Sequence, residues 1–177
     1  MREPWDLSKI SCLVVEDNPH MRTILRSVVG GFGVRTICEA TEGAEALELV
    51  VDRKPDIVLC DWNMSPFGGA DFLRILRKDT DPIIKTTPVL VITAHARRPI
   101  ILEALNIGIH GLVAKPVAPA VLYRHIGEIL QRQELQGRST GISMPGMPGH
   151  TGGSVLDLSS MAPDQPAEAE DQSLALL

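Results

Sequence analysis

Asp56-Ile57-Val58-Leu59-Cys60-Asp61 sets four apolar residues between two acids. The turn-rich Trp62-Asn63-Met64-Ser65-Pro66-Phe67-Gly68-Gly69 follows at once. An unbroken apolar run of this length, closed by turn residues, predicts a parallel strand buried on both faces that ends on a carboxylate. Open α/β sheets place their chemistry outside the carboxyl ends of their strands. Asp61 is therefore the first candidate for a functional side chain.

Three other apolar runs stop in a similar way. Ile10-Ser11-Cys12-Leu13-Val14-Val15 ends on Glu16-Asp17, Val89-Leu90-Val91-Ile92 on Thr93, and Gly111-Leu112-Val113-Ala114 on Lys115-Pro116. Each terminal residue binds metal, accepts a phosphoryl group, donates a hydrogen bond or bears positive charge. A further strand is read over Val34 to Ala40, where the alternation is loose.

Helical patterns separate these strands. Asn18-Pro19 suits an N-cap followed by proline at the first helical position, and Met21, Ile24, Leu25 and Val28 recur at helical spacing until Gly30-Gly31-Phe32-Gly33 ends the run. A second helix is expected from Ala44 to Asp52, broken by Lys54-Pro55, and a third is marked by Phe72, Leu73, Ile75 and Leu76 up to about Lys78. Residues Asp79 to Thr87 read as a polar connection. The fourth helix is placed from Arg98 to Asn106 and the fifth from Pro119 to Gln133. Five β-α units in succession predict an α/β fold, with a parallel sheet covered by helices on both faces through right-handed crossovers.

Those crossovers bring every strand's carboxyl end to one edge, so Glu16, Asp17 and Asp61 should converge there. Two carboxylates 4 Å apart repel by roughly 4 kcal/mol at an effective dielectric near 20. Three together require a cation or raised pKa values. Oxygen ligands from few side chains, with room for water and phosphate, describe Mg²⁺ better than Ca²⁺. Lys115 adds fixed positive charge and Thr93 a hydroxyl. The set suits a trigonal phosphoryl group, with Asp61 as the nucleophile that forms an acyl phosphate.

On these residues the stretch 10–133 resembles the receiver domain of two-component response regulators, above all the single-domain chemotaxis type. The resemblance rests on Glu16-Asp17, Asp61-Trp62-Asn63-Met64, Thr93-Ala94 and Lys115-Pro116, with Gly69 at the glycine that opens the third helix. It implies a flavodoxin-like, doubly wound five-stranded sheet in the order 2-1-3-4-5 with five helices, an order the chemotaxis regulators share. It further implies that Asp61 takes phosphate from a sensor histidine kinase or a histidine phosphotransfer protein. Asp17 and Asp61 would hold Mg²⁺, with Glu16 acting through water and the Asn63 carbonyl completing the shell. Thr93 would move towards the phosphate, and Lys115-Pro116 would be cis. Two departures from the family pattern stand out. Leu112 occupies a position often held by an aromatic switch residue, and Ser65 replaces a loop proline that here follows as Pro66. Asn63 and His95, two residues beyond Asp61 and Thr93, occupy the positions that in the family tune phosphate lifetime.

Composition limits the alternatives. The 177-residue chain has a formal charge of −5, with all 17 Lys and Arg at or before Arg138. Five of its 22 acids lie beyond that point, so the body is neutral and lacks the basic surface of a nucleic-acid binder. Cys12, Cys38 and Cys60 fall within strands and read as small buried hydrophobes. No apolar run approaches a membrane span and Met1-Arg2-Glu3-Pro4 does not open a signal peptide, so the cytoplasm is expected. Residues 1–9 read as an arm with Trp5 as an anchor. Residues 138–177, rich in Gly, Pro and Ser, read as a disordered tail with one apolar patch at Ser173-Leu174-Ala175-Leu176-Leu177.

The expected function is a stand-alone phosphorylation switch, not an enzyme, that acts on a downstream protein target without a DNA-binding output domain. Output would run through the fourth helix, the fifth strand and the fifth helix. A Mg-dependent aspartyl phosphatase of the haloacid dehalogenase type is the rival reading. Such enzymes want a second acid two residues after the nucleophile, where this chain has Asn63. A receiver that has lost phosphorylation is disfavoured by the complete set of acids, Thr93 and Lys115.

Overall fold

The computed structural model describes residues 5–140 and 142. Five strands, β1 (Ser11–Val15), β2 (Thr36–Ala40), β3 (Ile57–Asp61), β4 (Val89–Thr93) and β5 (Gly111–Ala114), form one parallel sheet in the order β2-β1-β3-β4-β5. Six helices connect or follow them: α1 (Pro19–Gly31), α2 (Gly43–Arg53), α3 (Gly69–Leu76), α4 (Pro82–Lys85), α5 (Arg98–Ile107) and α6 (Pro119–Leu135). The expected sheet and its order are borne out. One helix more than expected is present, because α4 interrupts what reads as a polar connection. Its signal was available: Asp81 is an N-cap whose side chain accepts the Ile83 amide hydrogen, and Pro82 holds the first helical position.

Period-2 alternation along the central strands feeds two cores. Cys12 and Val14 of β1 and Ile57 and Leu59 of β3 face α1 and α6, where Leu25, Val29, Leu122, Ile126 and Ile129 meet them. Leu13, Val15, Val58 and Cys60 face α2, α3 and α5, against Ala46, Val50, Phe72, Leu73 and Ala104. With both faces covered, β3 and β4 are buried at every position. Ile24 and Ile75, which mark their helices in the sequence, are 54% and 50% exposed. Leu25 and Val29 in one helix, and Phe72, Leu73 and Leu76 in the other, already fill the inward stripe. Cys12 and Cys60 are buried, but Cys38 on the edge strand β2 is only half-buried.

The arm is anchored at Trp5. Its indole Nε1 donates to Gln131 Oε1 at 3.2 Å, and the Tyr123 hydroxyl donates to the Trp5 carbonyl at 2.7 Å. The ring lies close enough to α6 that a Cβ at Gly127 would stand 2.2 Å from it. At the other end, residues 138–140 and 142 are packed rather than loose. Arg138 donates to the Ile83 carbonyl, Thr140 bonds Glu134, and Ile142 joins the α1–α6 core. The rest of the expected tail, with its Ser173–Leu177 patch, lies outside the described residues.

The amino-terminal edge of the sheet has its own charge arrangement. Arg77 donates from Nε to the Gly108 carbonyl at 2.7 Å and from Nη1 to the Lys85 carbonyl at 2.9 Å. Both carbonyls close helices, where orphan acceptors and the negative dipole end favour cations. His110 accepts the Val89 amide hydrogen at Nδ1, 3.1 Å away. Burial, followed by the neighbouring charges of Arg77, Arg138 and Arg132, lowers its pKa to about 4.

Candidate functional site

β1 and β3 lie side by side, with Val15 opposite Cys60, so the residues that follow Val15 emerge beside Asp61. The ligating oxygens of Glu16, Asp17 and Asp61 all fall within 4.8 Å of one another. Glu16 and Asp61 are buried, whereas Asp17 is exposed at the rim. β4 places Ile92 opposite Asp61, and β5 places Ala114 opposite Thr93. Lys115 leaves the edge strand there, its backbone amide bonded to the Thr93 carbonyl at 2.8 Å. Its Nζ reaches Glu16 Oε2 at 2.8 Å and Asp61 Oδ2 at 3.3 Å. The Lys115-Pro116 bond is cis, as the resemblance implied, and Ser65-Pro66 is cis as well.

Each acid has a local reason for its position. The Asn18 amide donates to Glu16 Oε1 at 3.2 Å, which ties the buried carboxylate to the start of α1. Arg22, which the sequence did not single out, donates to the Glu16 carbonyl at 2.9 Å and pairs with Glu39 on β2. Burial raises the Glu16 pKa, although the Lys115 hydrogen bond pulls the other way. Burial opposes the charge on Lys115, but the hydrogen bond to Glu16 and the field of Asp61 hold its pKa above the usual lysine value.

The loop after Asp61 is held from beneath. Trp62 and Met64 are buried, and the Gly43 amide at the start of α2 donates to the Phe67 carbonyl at 3.1 Å. A Cβ at Gly69 would sit 2.7 Å from the Asp61 carbonyl oxygen, so only glycine lets α3 start this close to the end of β3. The Asn63 amide donates to Asp61 Oδ1 at 3.4 Å.

Thr93 is fully buried and its Oγ1 accepts the His95 amide hydrogen at 3.1 Å. Asn63 Nδ2 and His95 Nδ1 stand 3.3 Å apart. The structure thus joins the side chains of the β3–α3 and β4–α5 loops, a contact that spacing alone gave no means to foresee.

Three carboxylates against one ammonium leave two negative charges in excess when all are ionised. That deficit, together with an all-oxygen donor set, fits a hard divalent cation such as Mg²⁺. Glu16, Asp17 and Asp61 are the residues that would hold it.

A sequence profile described as the response regulator receiver domain matches residues 12–127. The chain is 37% identical over 120 residues to the chemotaxis protein CheY of Pseudomonas aeruginosa, an alignment covering 68% of this chain and 95% of that protein. It is 36% identical over 120 residues to chemotaxis protein CheY-3 of Vibrio cholerae, covering 68% and 91%. Among solved structures, a putative response regulator from Chloroflexus aurantiacus superposes with a TM-score of 0.65 at 28% identity, covering 70% of this chain and 98% of that one. No helix among the described residues is long and apolar enough to cross a membrane.

Proposed function

This chain belongs to the response regulator receiver domain family, and we propose that it works as a phosphoryl-accepting switch with Asp61 as the acceptor. The observation that carries the reading is the convergence of Glu16, Asp17 and Asp61 around a single lysine, two charges short of neutrality. Such a site is suited to a divalent cation and a dianionic phosphoryl group together.

An oxygen of the Asp61 carboxylate attacks phosphorus in a phosphohistidine of a sensor kinase or phosphotransfer protein. The O–P bond forms as the P–N bond breaks, and the imidazole leaves with the bonding pair and then gains a proton. Mg²⁺, when bound, neutralises charge on the transferring oxygens. Lys115, already 3.3 Å from Asp61 Oδ2, is within reach of one of the new phosphoryl oxygens. Thr93 donates its hydroxyl to another once it rotates away from the His95 amide. Leu112 of β5 stands opposite Val91, two residues before Thr93 on β4, and its side chain belongs to the core shared with α5. Movement of Thr93 is therefore read by repacking between Leu112 and α5, which alters the α5–β5–α6 face offered to a protein target. Asn63 and His95 meet across the mouth of the site and govern the water that hydrolyses the acyl phosphate.

The aspartyl phosphatase reading is disfavoured by the same contact. The side chain two positions after Asp61 is an amide engaged with His95, not a carboxylate able to act as general acid. Incubation with ³²P-labelled phosphoramidate and Mg²⁺ separates the readings. One alkali-labile phosphate per chain, lost in Asp61→Asn, is expected. Absence of labelling, or multiple rapid turnovers of small phosphate esters, overturns the proposal.

A further inference from the structure

The edge strand β5 is flanked by two helices whose free stripes can be assigned. In α5, buried Ala104 marks the inward side and Glu103, paired with Arg74 of α3, marks the side towards α3. At 100° per residue, Arg98, Leu102 and Leu105 then fall on the side towards β5 and α6. Leu102 and Leu105 are only half-buried and belong to neither core cluster among the described residues. In α6, His125 lies beside Gly111 of β5, and Arg132 is exposed on the same stripe. The opposite stripe of α6 is already taken by Trp5 on Tyr123, Gly127 and Gln131. What remains open is a leucine-bearing face with Arg98 and Arg132 at its margins and one acid, Glu128, beside His125 on α6.

The chain holds a segment of complementary chemistry. Residues 139–177 contain no lysine or arginine. Glu168, Glu170 and Asp171 are followed by Leu174, Leu176 and Leu177. Glu170, Leu174 and Leu177 fall at i, i+4 and i+7, the spacing of Arg98, Leu102 and Leu105. Distance is no obstacle. The 26 residues from Ile142 to Glu168 span up to roughly 90 Å when extended, several times the ~14 Å radius of gyration of a domain this size.

We propose that residues 168–177 dock on the α5–β5–α6 face, leucines on Leu102 and Leu105 and acids towards Arg98, as an intramolecular competitor for the protein target. The identity of that face as the output surface rests on the function proposed above; the docking itself does not. With an effective concentration of order 1 mM for a tethered segment, a segment dissociation constant of about 1 mM would leave the face about half occupied. A partner that reads it then binds about twofold more tightly once the segment is disabled.

Paramagnetic broadening in the full-length chain tests this. A nitroxide is placed by Ser173→Cys in a Cys38→Ser background, and amide signals are compared with the reduced label. Leu102, Leu105 and His125 are expected to lose more intensity than the amides of β2. Leu174→Asp with Leu177→Asp restores the signals, and Arg98→Glu restores them in part. Losses at Leu102 and Leu105 no greater than at β2 overturn the proposal. So does broadening that appears only when labelled chains are mixed with isotope-enriched ones, since the segment then engages a second copy. Phosphoramidate labelling of the same samples keeps the two readings apart. Broadening without Asp61 phosphorylation defeats the switch but not the docking, and phosphorylation without broadening does the reverse.

Discussion

At the carboxyl edge of the sheet, three carboxylates crowd one ammonium, Lys115. At the amino edge, Arg77 and Arg138 bond carbonyls of helices, and His110 accepts the Val89 amide beside them. Both edges follow from one topology. Helices in β-α units run antiparallel to the strands, so their positive ends collect at the carboxyl edge and their negative ends at the amino edge. The difference is in how far the charge is satisfied. Arg77 finds the Gly108 and Lys85 carbonyls and Arg138 finds Ile83, so the amino edge needs no ion to hold its cations in place, although Arg77 Nη2 is buried without a hydrogen-bond partner among the described residues. The carboxyl edge remains two charges out of balance. Equal-looking charge clusters therefore do different work: one closes helices, and the other holds a deficit of positive charge that a divalent cation can fill.

The contrast can be broken most sharply at Asp61. Asp61→Asn should abolish phosphate labelling, yet raise unfolding stability in metal-free buffer by about 1 kcal/mol, because one repulsive charge has gone. Denaturant titration with and without Mg²⁺ checks the second half, and a destabilised variant would contradict the charge account. Arg77→Met should act in the opposite sense. It strands carbonyl acceptors at the ends of α4 and α5 and costs about 2–3 kcal/mol, while Asp61 still labels.

The amino edge also has a pH signature. The folded pKa of His110 is about 4, below the ordinary 6.5, so between these values the unfolded chain binds more protons. Its contribution is complete above pH 6.5 and is lost as pH falls towards 4. The loss amounts to roughly 2–3 kcal/mol, and His110→Gln should remove that part of the pH dependence in urea melts at pH 7 and pH 4.5. The smallest effect is expected at the mouth of the site. His95→Ala breaks the contact with Asn63 and should change acyl-phosphate lifetime by several-fold, on the order of 1 kcal/mol in barrier. An unchanged decay rate would detach that pair from the hydrolytic water.

The sequence made the carboxyl edge legible because strand ends are marked twice, by the stop of an apolar run and by the chemistry of the next residue. Asp61, Glu16, Asp17, Thr93 and Lys115 could all be read that way. The amino edge was not legible, since cations that bind helix-end carbonyls have no fixed spacing: Arg77 lies 31 residues from Gly108. The same limit hid the contacts of Arg22 and of the Asn63–His95 pair, which depend on where loops meet. Helix α4 was missed for another reason. Four residues are too few for an amphipathic period, although Asp81-Pro82 marked its start. Ile24 and Ile75 show that periodicity gives the existence of an apolar stripe more surely than its width.

The chain has two tryptophans, and the fold gives them unlike surroundings. Trp62 directly follows Asp61 and is buried at the acidic edge, while Trp5 is pinned against Gly127 on the far side of α6. In an emission spectrum the first indole would report events at Asp61 and the second would stay constant. The protein thus carries its own optical probe and its own reference, and Trp5→Phe would isolate the signal without a dye.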